Sequence, residues 1–164
     1  NHDEAVLDPA LAQYFNPAAA EALEWTRQQL GPYHLHAISH MKTRIRLGDA
    51  LLLVHDTPAL HQSDYVNDVS AAIDAFQAMD EGICLHGHTH LPTIFEAPGE
   101  DAATDENIVL RIPQPADPMV LRPDRRYLCN PGSVGQPRDA DPRAAIAVLD
   151  SRCPEEEAVF TLLR

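Results

Sequence analysis

Apolar residues recur along two stretches of the chain at the spacing of an amphipathic helix. In residues 66–79 they fall three and four positions apart, which predicts a helix with one apolar face. A second helix is predicted over residues 17–30, with Asn16 as its N-cap, Pro17 in its first turn and Gly31-Pro32 at its end. Each apolar face is expected to pack against another element.

Short apolar runs bounded by turn-forming residues predict strands. Residues 43–47 and 50–54 flank Gly48-Asp49, which predicts a β-hairpin leading to His55. Residues 83–85 predict a strand that leads to Gly87-His88-Thr89-His90. Further strands are predicted at residues 93–96, 108–112, 126–129, 144–149 and 158–162. Residues 97–107 and 113–125 carry prolines and acidic residues, and they are predicted to be surface loops.

The order of these elements bounds the fold class. Helices and strands alternate at first and a strand-rich tail follows, which favours a layered α/β sandwich over a helical bundle. The 164 residues are enough to bury a core, and they show neither an internal repeat nor a second independent domain. The sequence therefore predicts one domain over residues 1–164.

Charge and composition exclude several kinds of partner. The net charge of −13 repels polyphosphate backbones, so we expect no non-specific nucleic-acid binding. A site for phosphate esters would need local positive charge, which metal ions can supply. No apolar run approaches the roughly 18–20 residues of a membrane helix. Cys84, Cys129 and Cys153 show no C-x-x-C spacing and are expected to be reduced, the first two in buried strands, in a cytoplasmic protein.

Histidines follow two of the predicted strands and are candidate metal ligands. Neutral imidazoles at strand ends suit divalent ions, and we expect His55 and His88 to converge on one site. Gly87 is expected to let the backbone turn sharply, so that His88 and His90 serve different ions. The alternative is a continuous strand, whose alternation would place His86, His88 and His90 together as a mononuclear zinc site.

The remaining candidate residues are expected to have structural or solvent-exposed roles. Four histidines lie in polar, loop-like surroundings and are expected to be solvated: His34, His36, His40 and His61. His86 is expected to lie within its strand, in the core or in support of a ligand. Arg138 could contact a substrate phosphate or pair with Asp139 or Asp141.

Three motifs together resemble a known family. Asn1-His2-Asp3, the lone His55 and Gly87-His88-Thr89-His90 resemble, in this order, the later part of the signature of calcineurin-like metallophosphoesterases. The full signature begins with Asp-x-His and Gly-Asp-x-x-Asp, which are absent here. Residues 127–138, which contain Asn130-Pro131-Gly132-Ser133, resemble a segment of bacterial members related to diadenosine tetraphosphatases and protein phosphatases. The resemblance implies the C-terminal portion of a layered αββα sandwich, without its first strands.

The resemblance also implies a mechanism with named residues. It implies four ligands of a dinuclear site for divalent ions (Mn, Fe, Zn or Ni): Asn1, His55, His88 and His90. His90 would bind the first ion and the other three the second. His2 would act near the leaving group and Asp3 would orient it. In such enzymes a metal-activated water attacks the phosphorus of a phosphate ester.

Two departures from the family pattern bear on this expectation. Asp56 follows the lone histidine where relatives carry a small residue, and its carboxylate could hold His55 or repel a phosphate. The bridging aspartate that sets the metal spacing is also absent, since Gly48-Asp49 belongs to the hairpin. We therefore expect an upstream segment, a second chain or a swapped copy to complete the sheet and the site, and we expect the 164 residues not to persist as a folded monomer alone.

Three functions remain open at this point. The leading one is a metal-dependent phosphoesterase that hydrolyses a phosphate mono- or diester. The alternative is a phosphoesterase-like binding or scaffold module with one metal or none, and the third is a disrupted gene product without activity. Mononucleotides, dinucleoside polyphosphates, cyclic diesters and phosphoproteins all remain candidate substrates.

Overall fold

The computed structural model of the protein describes residues 1–59, 65–99, 102–151 and 157–164. These residues form two compact units, residues 1–42 and residues 43–164. The sequence predicts one domain, and that stays a prediction. Within the described ranges, no helix is long and apolar enough to cross a membrane.

The first unit is helical. It contains α1 (His2–Leu7), a 3-10 helix (Pro9–Tyr14), α2 (Pro17–Gln29) and α3 (Pro32–Ser39). The predicted N-cap of α2 is confirmed, because the side chain of Asn16 accepts a hydrogen bond from the backbone N–H of Ala19 at 3.0 Å. Ala5, Val6 and Leu23 form a small buried core between these helices.

Helix α3 corrects the sequence analysis. Pro32 was expected only to end α2, but a proline is also well placed in a first helical turn, and here it begins α3. His34 and His36 therefore lie on a helix and not in a loop, with His40 directly after it. All three are exposed, as predicted. His61 lies outside the described residues.

The second unit contains one helix and nine strands among its described residues. The helix is α4 (Val69–Gln77), within the predicted range. The strands are β1 (Arg44–Leu47), β2 (Leu51–Val54), β3 (Ile83–Leu85), β4 (Pro92–Pro98), β5 (Val109–Arg111), β6 (Met119–Leu121), β7 (Arg125–Pro131), β8 (Ile146–Asp150) and β9 (Ala158–Leu163). They form two sheets.

The larger sheet has six strands in the order β1-β2-β3-β7-β4-β5. Strands β2, β3 and β7 run parallel, while the other neighbours are antiparallel. The predicted hairpin is confirmed, since β1 pairs with β2 and Gly48 adopts a left-handed φ of 62° in the turn.

The smaller sheet has three antiparallel strands in the order β6-β9-β8. Strand β6 lies in residues 113–125, so the prediction that this whole segment is a loop was wrong. Only three residues form the strand, between prolines 118 and 123, and they pair with the distant β9, where Met119 lies opposite Phe160. Local sequence gives little sign of such a short, non-local pairing.

Alternating side chains of the larger sheet separate two cores. On one side, the fully buried Cys84, Phe95 and Leu128 pack in one cluster with Phe76 of α4. Their neighbours in sequence face the other way, where residues such as Ile94, Tyr127 and Cys129 pack with Phe160 and Leu162 of the smaller sheet. Each fully buried large apolar side chain contributes about 1.5–3 kcal/mol. The result is a helix layer, a large sheet and a small sheet, which confirms the layered α/β sandwich.

The cysteines agree with the expectation for the described residues. Cys84 and Cys129 are both unpaired and buried in strands. Burial raises the pKa of Cys84 to about 12 and that of Cys129 further still, so both thiols stay protonated and unreactive. Cys153 lies outside the described residues.

Candidate functional site

Three parallel strands end at one edge of the larger sheet and deliver the candidate residues there. His55 follows β2, the histidine loop at residues 86–90 follows β3, and Asn130 lies near the end of β7. Backbone hydrogen bonds continue beyond the strands. The N–H of Gly87 donates to the carbonyl of His55 at 2.8 Å, and the N–H of His86 donates to the carbonyl of Cys129 at 3.0 Å. The three segments are thus held side by side.

His55 and His88 lie together at this edge. Their ring centroids are 5.1 Å apart and the rings meet edge to face, at 67°. His88 is buried, with 7% of its surface exposed, whereas His55 is exposed. The structure therefore brings together the two imidazoles that were predicted to share one ion, and their role as ligands stays a prediction.

Tyr65 is a further part of this site. Its ring stacks on the His88 ring, with centroids 4.2 Å apart and only 15° between the planes. His88 is therefore in contact with two rings, those of His55 and Tyr65. Sequence reasoning missed Tyr65, because it belongs to no motif and stands 23 positions before His88 in the chain.

The histidine loop turns at the histidines themselves, which corrects the role expected of Gly87. His88 and His90 have left-handed φ values of 66° and 63°, whereas Gly87 does not lie in that region. The N–H of Thr89 donates to the carbonyl of Gly87 at 2.7 Å, which closes a γ-turn around His88. Such conformations cost about 1–3 kcal/mol each in non-glycine residues. An added Cβ at Gly87 would lie 3.4 Å from the carbonyl oxygen of His55, which is an ordinary contact distance, so this position does not require glycine.

The alternative of three histidines along one strand is wrong. Strand β3 ends at Leu85, so His86, His88 and His90 lie in the loop that follows it. The expectation that His86 lies within the strand fails for the same reason. His86 is nevertheless buried, with 3% of its surface exposed, and burial lowers its pKa to about 4.

Hydrogen bonds from Asn130 stabilise the histidine loop. It is completely buried, and its side-chain amide donates hydrogen bonds to the carbonyl of Gly87 at 2.7 Å and to the hydroxyl of Thr89 at 3.0 Å. Its side-chain oxygen accepts from the N–H of Gly132 at 2.8 Å. The Asn-Pro-Gly-Ser segment is therefore a turn that also fixes the backbone on either side of His88.

The electrostatics of the site keep His88 neutral. The pKa of His88 is lowered to about 4, mainly by burial and also by the nearby His55, while Asp56 acts in the opposite direction. A neutral imidazole is the form that binds a metal ion. The carboxylate of Asp56 accepts a hydrogen bond from the N–H of Thr57 at 2.8 Å, so it takes part in the local turn after His55.

The described side chains at this edge supply only part of the ligand set that a divalent metal ion needs. Two neighbouring imidazoles, one of them neutral, fit part of such a site. Within the part of the chain that the structure describes, however, no group of three or more histidine, cysteine, aspartate or glutamate side chains is arranged to hold an ion. His90 lies on the same loop and is half-buried. A complete site therefore needs donors beyond the pair His55 and His88.

The predicted residues Asn1, His2 and Asp3 lie in the first unit. Asn1 is the N-cap of α1, and His2 and Asp3 occupy its first turn. The ring of His2 contacts that of Phe15 edge to face, with centroids 4.9 Å apart. Their assignments as a ligand, an acid and an orienting group stay predictions.

Of the two roles considered for Arg138, the pairing with Asp139 or Asp141 is not found among the described residues. Its backbone N–H donates to the carbonyl of His90 at 3.3 Å. Within the described ranges, Asp139 and Asp141 instead pair with Arg164, and Asp141 also pairs with Arg143 at 2.6 Å. Arg138 therefore contacts the histidine loop through its backbone.

Known proteins resemble the chain in both sequence and fold. A family model described as "Calcineurin-like phosphoesterase superfamily domain" matches residues 1–152. An uncharacterized protein of Methanocaldococcus jannaschii is 29% identical over 161 residues, which cover 93% of this chain and 58% of that protein. The crystal structure of a metallophosphoesterase from Sphaerobacter thermophilus aligns with a TM-score of 0.75 at 32% identity, covering 100% of this chain and 64% of the other. The chain spans less than two thirds of the length of either.

Proposed function

The chain belongs to the calcineurin-like phosphoesterase superfamily, and we propose that it acts as a metal-dependent phosphoesterase on phosphate mono- or diesters. The observation that carries the proposal is the pair His55 and His88, whose rings lie 5.1 Å apart at the ends of two parallel strands. Neutral imidazoles at converging strand ends suit hydrolytic divalent ions. The likeness to a metallophosphoesterase structure supports the same chemistry.

The proposed ligand set follows the family motifs. Asn1, His55 and His88 would hold one divalent ion and His90 a second, with Mn, Fe, Zn and Ni as candidates. Such ions, when bound, neutralise charge on the phosphate and lower the pKa of a water molecule toward neutrality. The chain carries a net charge of −13, so ions are the natural source of attraction for an anionic ester.

The residues of the chain have their own part in this proposal. Burial keeps His88 unprotonated, and the stacked Tyr65 restricts its ring orientation. Asn130 and the γ-turn fix the backbone of His88, so the loop loses little conformational entropy when a ligand binds. His2 would donate a proton to the leaving oxygen, and Asp3 would orient His2.

The remaining ligands are proposed to come from a segment outside these 164 residues. The two similar proteins are longer than this chain, and the Asp-x-His and bridging aspartate of the family signature are absent from it. The outer face of the small sheet also exposes Val120, Ile146 and Val148, an apolar surface that another element could cover. We propose that the same segment, or else a partner chain, supplies both.

Hydrolysis by the full-length gene product tests the proposal. Chelator-treated protein should hydrolyse phosphate esters only after Mn, Fe, Zn or Ni is restored. His88→Ala should lower kcat/KM by at least about 100-fold, whereas His40→Ala, which changes an exposed histidine of the first unit, should have no effect. Metal binding without turnover of any mono- or diester would favour the binding or scaffold module instead.

A further inference from the structure

A cavity of about 780 Å³ that is widely open to solvent lies along α4 in the second unit. Its size lies within the range of small-molecule sites, about 300–1,000 Å³. The polar part of its lining comes from six residues: Thr57, Asn67, Asp68, Ser70, Asp74 and Gln77. They offer hydroxyl, amide and carboxylate groups and include neither lysine nor arginine.

The cavity adjoins the histidine edge at two points. Tyr65 lines the cavity and also stacks on His88, so it is a wall shared by the cavity and the histidine site. Thr57 lines the cavity and stands two positions after His55. A molecule bound beside His55 and His88 could therefore extend past Tyr65 into the cavity.

We propose that this cavity binds the alcohol portion of the ester, and that this portion carries a flat ring and no negative charge. The inference rests on the proposed function and adds a substrate class to it. Tyr65 is 42% exposed, which leaves ring surface on which a flat group can stack. Asn67, Ser70 and Gln77 can form hydrogen bonds with the hydroxyl or amide groups of such a molecule.

The charge of the lining disfavours a second anionic group on the ester. The carboxylate of Asp68 accepts a hydrogen bond from the N–H of Ala71 at 2.9 Å, which caps α4 and fixes its position. Asp74 is exposed in the same lining. Among the described lining residues, a further phosphate or carboxylate would face these charges without a lysine or arginine to pair with. Phosphate esters of neutral or cationic ring alcohols, including nucleosides, are therefore favoured over dinucleoside polyphosphates.

Two aryl esters that differ in one charge test the inference. We compare kcat/KM for phenyl phosphate and 4-carboxyphenyl phosphate with the metal-loaded, full-length gene product. The wild type should prefer the neutral ester by roughly three- to tenfold, and Asp74→Lys should remove that preference. Asp49→Lys makes the same charge change in the hairpin turn, outside the lining, and should leave the preference unchanged. Tyr65→Ala should raise KM for both esters, and Tyr65→Phe should restore it.

Binding provides a readout that does not depend on turnover. In saturation-transfer NMR on chelator-treated protein, the signal of phenol should be stronger than that of 4-hydroxybenzoate. In Asp74→Lys the two signals should be more nearly equal. Hydrolysis of both esters with equal efficiency, unchanged in Asp74→Lys, would overturn this inference alone. Failure to hydrolyse any ester with any metal would overturn the proposed function, and the inference with it.

Discussion

Asn130 and Gly87 are 43 positions apart in the chain, yet the side-chain amide of the first donates a 2.7 Å hydrogen bond to the carbonyl of the second. The same amide reaches the hydroxyl of Thr89 at 3.0 Å. Because His88 lies between these two partners and has a left-handed backbone, Asn130 stabilises the one turn that the loop must adopt. Strand β7 thereby determines the conformation of a loop that follows β3.

Replacement of this amide should destabilise the fold. Asn130→Ala removes three hydrogen bonds from a completely buried position and leaves the N–H of Gly132 without its acceptor. The free energy of unfolding should fall by about 1–3 kcal/mol, as measured in urea. Asn107→Ala removes side-chain hydrogen bonds to the nearby Thr104 and Ala102 in a surface turn, and it should cost less. Equal losses in the two variants would contradict the special role of Asn130.

Arg126 should stabilise α4 from the neighbouring sheet. Its guanidinium donates to the carbonyls of Phe76 and Met79 at the C-terminal end of the helix, at 2.8 Å for Phe76, and lies 5.5 Å from the centroid of the Phe76 ring. Arg126→Ala should lower the free energy of unfolding by about 1–3 kcal/mol. Arg122→Ala, an exposed control, should change it by less than about 0.5 kcal/mol. Urea unfolding of both variants distinguishes these outcomes.

The ion pairs of Asp141 should make stability depend on acid pH. Hydrogen bonds from Arg143, with a further one from Arg164, lower the pKa of Asp141 below its usual value. A lowered carboxylate pKa stabilises the folded state above the unfolded pKa of about 4, and this contribution is lost as the pH falls below it. Asp141→Asn should therefore be less stable than the wild type near neutral pH.

The difference in free energy of unfolding between the wild type and Asp141→Asn should become smaller as the pH falls. Urea unfolding from about pH 7 to about pH 3 measures it, because the wild type loses the contribution of the ionised Asp141 over the lower part of that range. Asp105→Asn, at an exposed position, is the matched control. A difference between wild type and Asp141→Asn that stays constant down to about pH 3 would show that the Asp141 carboxylate contributes nothing through its charge.

Elements with local signals could be predicted from the sequence. The hairpin at Gly48 has a turn that glycine favours, and α4 has regular apolar spacing, so both were placed close to their observed bounds. The adjacency of His55 and His88 could be predicted because each histidine follows the end of a predicted strand. Parallel pairing of those strands puts both loops at one edge.

Features that depend on distant contacts could not be predicted. Strand β6 has three residues and, in the described part of the chain, pairs with the distant β9, so its own sequence does not indicate a strand. Nothing local places His88 and His90 in a left-handed conformation, which the hydrogen bonds of Asn130 help to hold in place of a glycine. The stacking of Tyr65 on His88 is likewise a tertiary contact between segments without a shared motif.

The metal content of histidine variants of the full-length gene product tests the central claim most directly. His55→Ala and His88→Ala should each lose the same ion, so the double variant should lose no more metal than either single variant. His90→Ala should lose the other ion, and combined with His55→Ala it should leave no metal, while His40→Ala should retain the full content. Full retention of metal in all three single variants at the site would contradict the account.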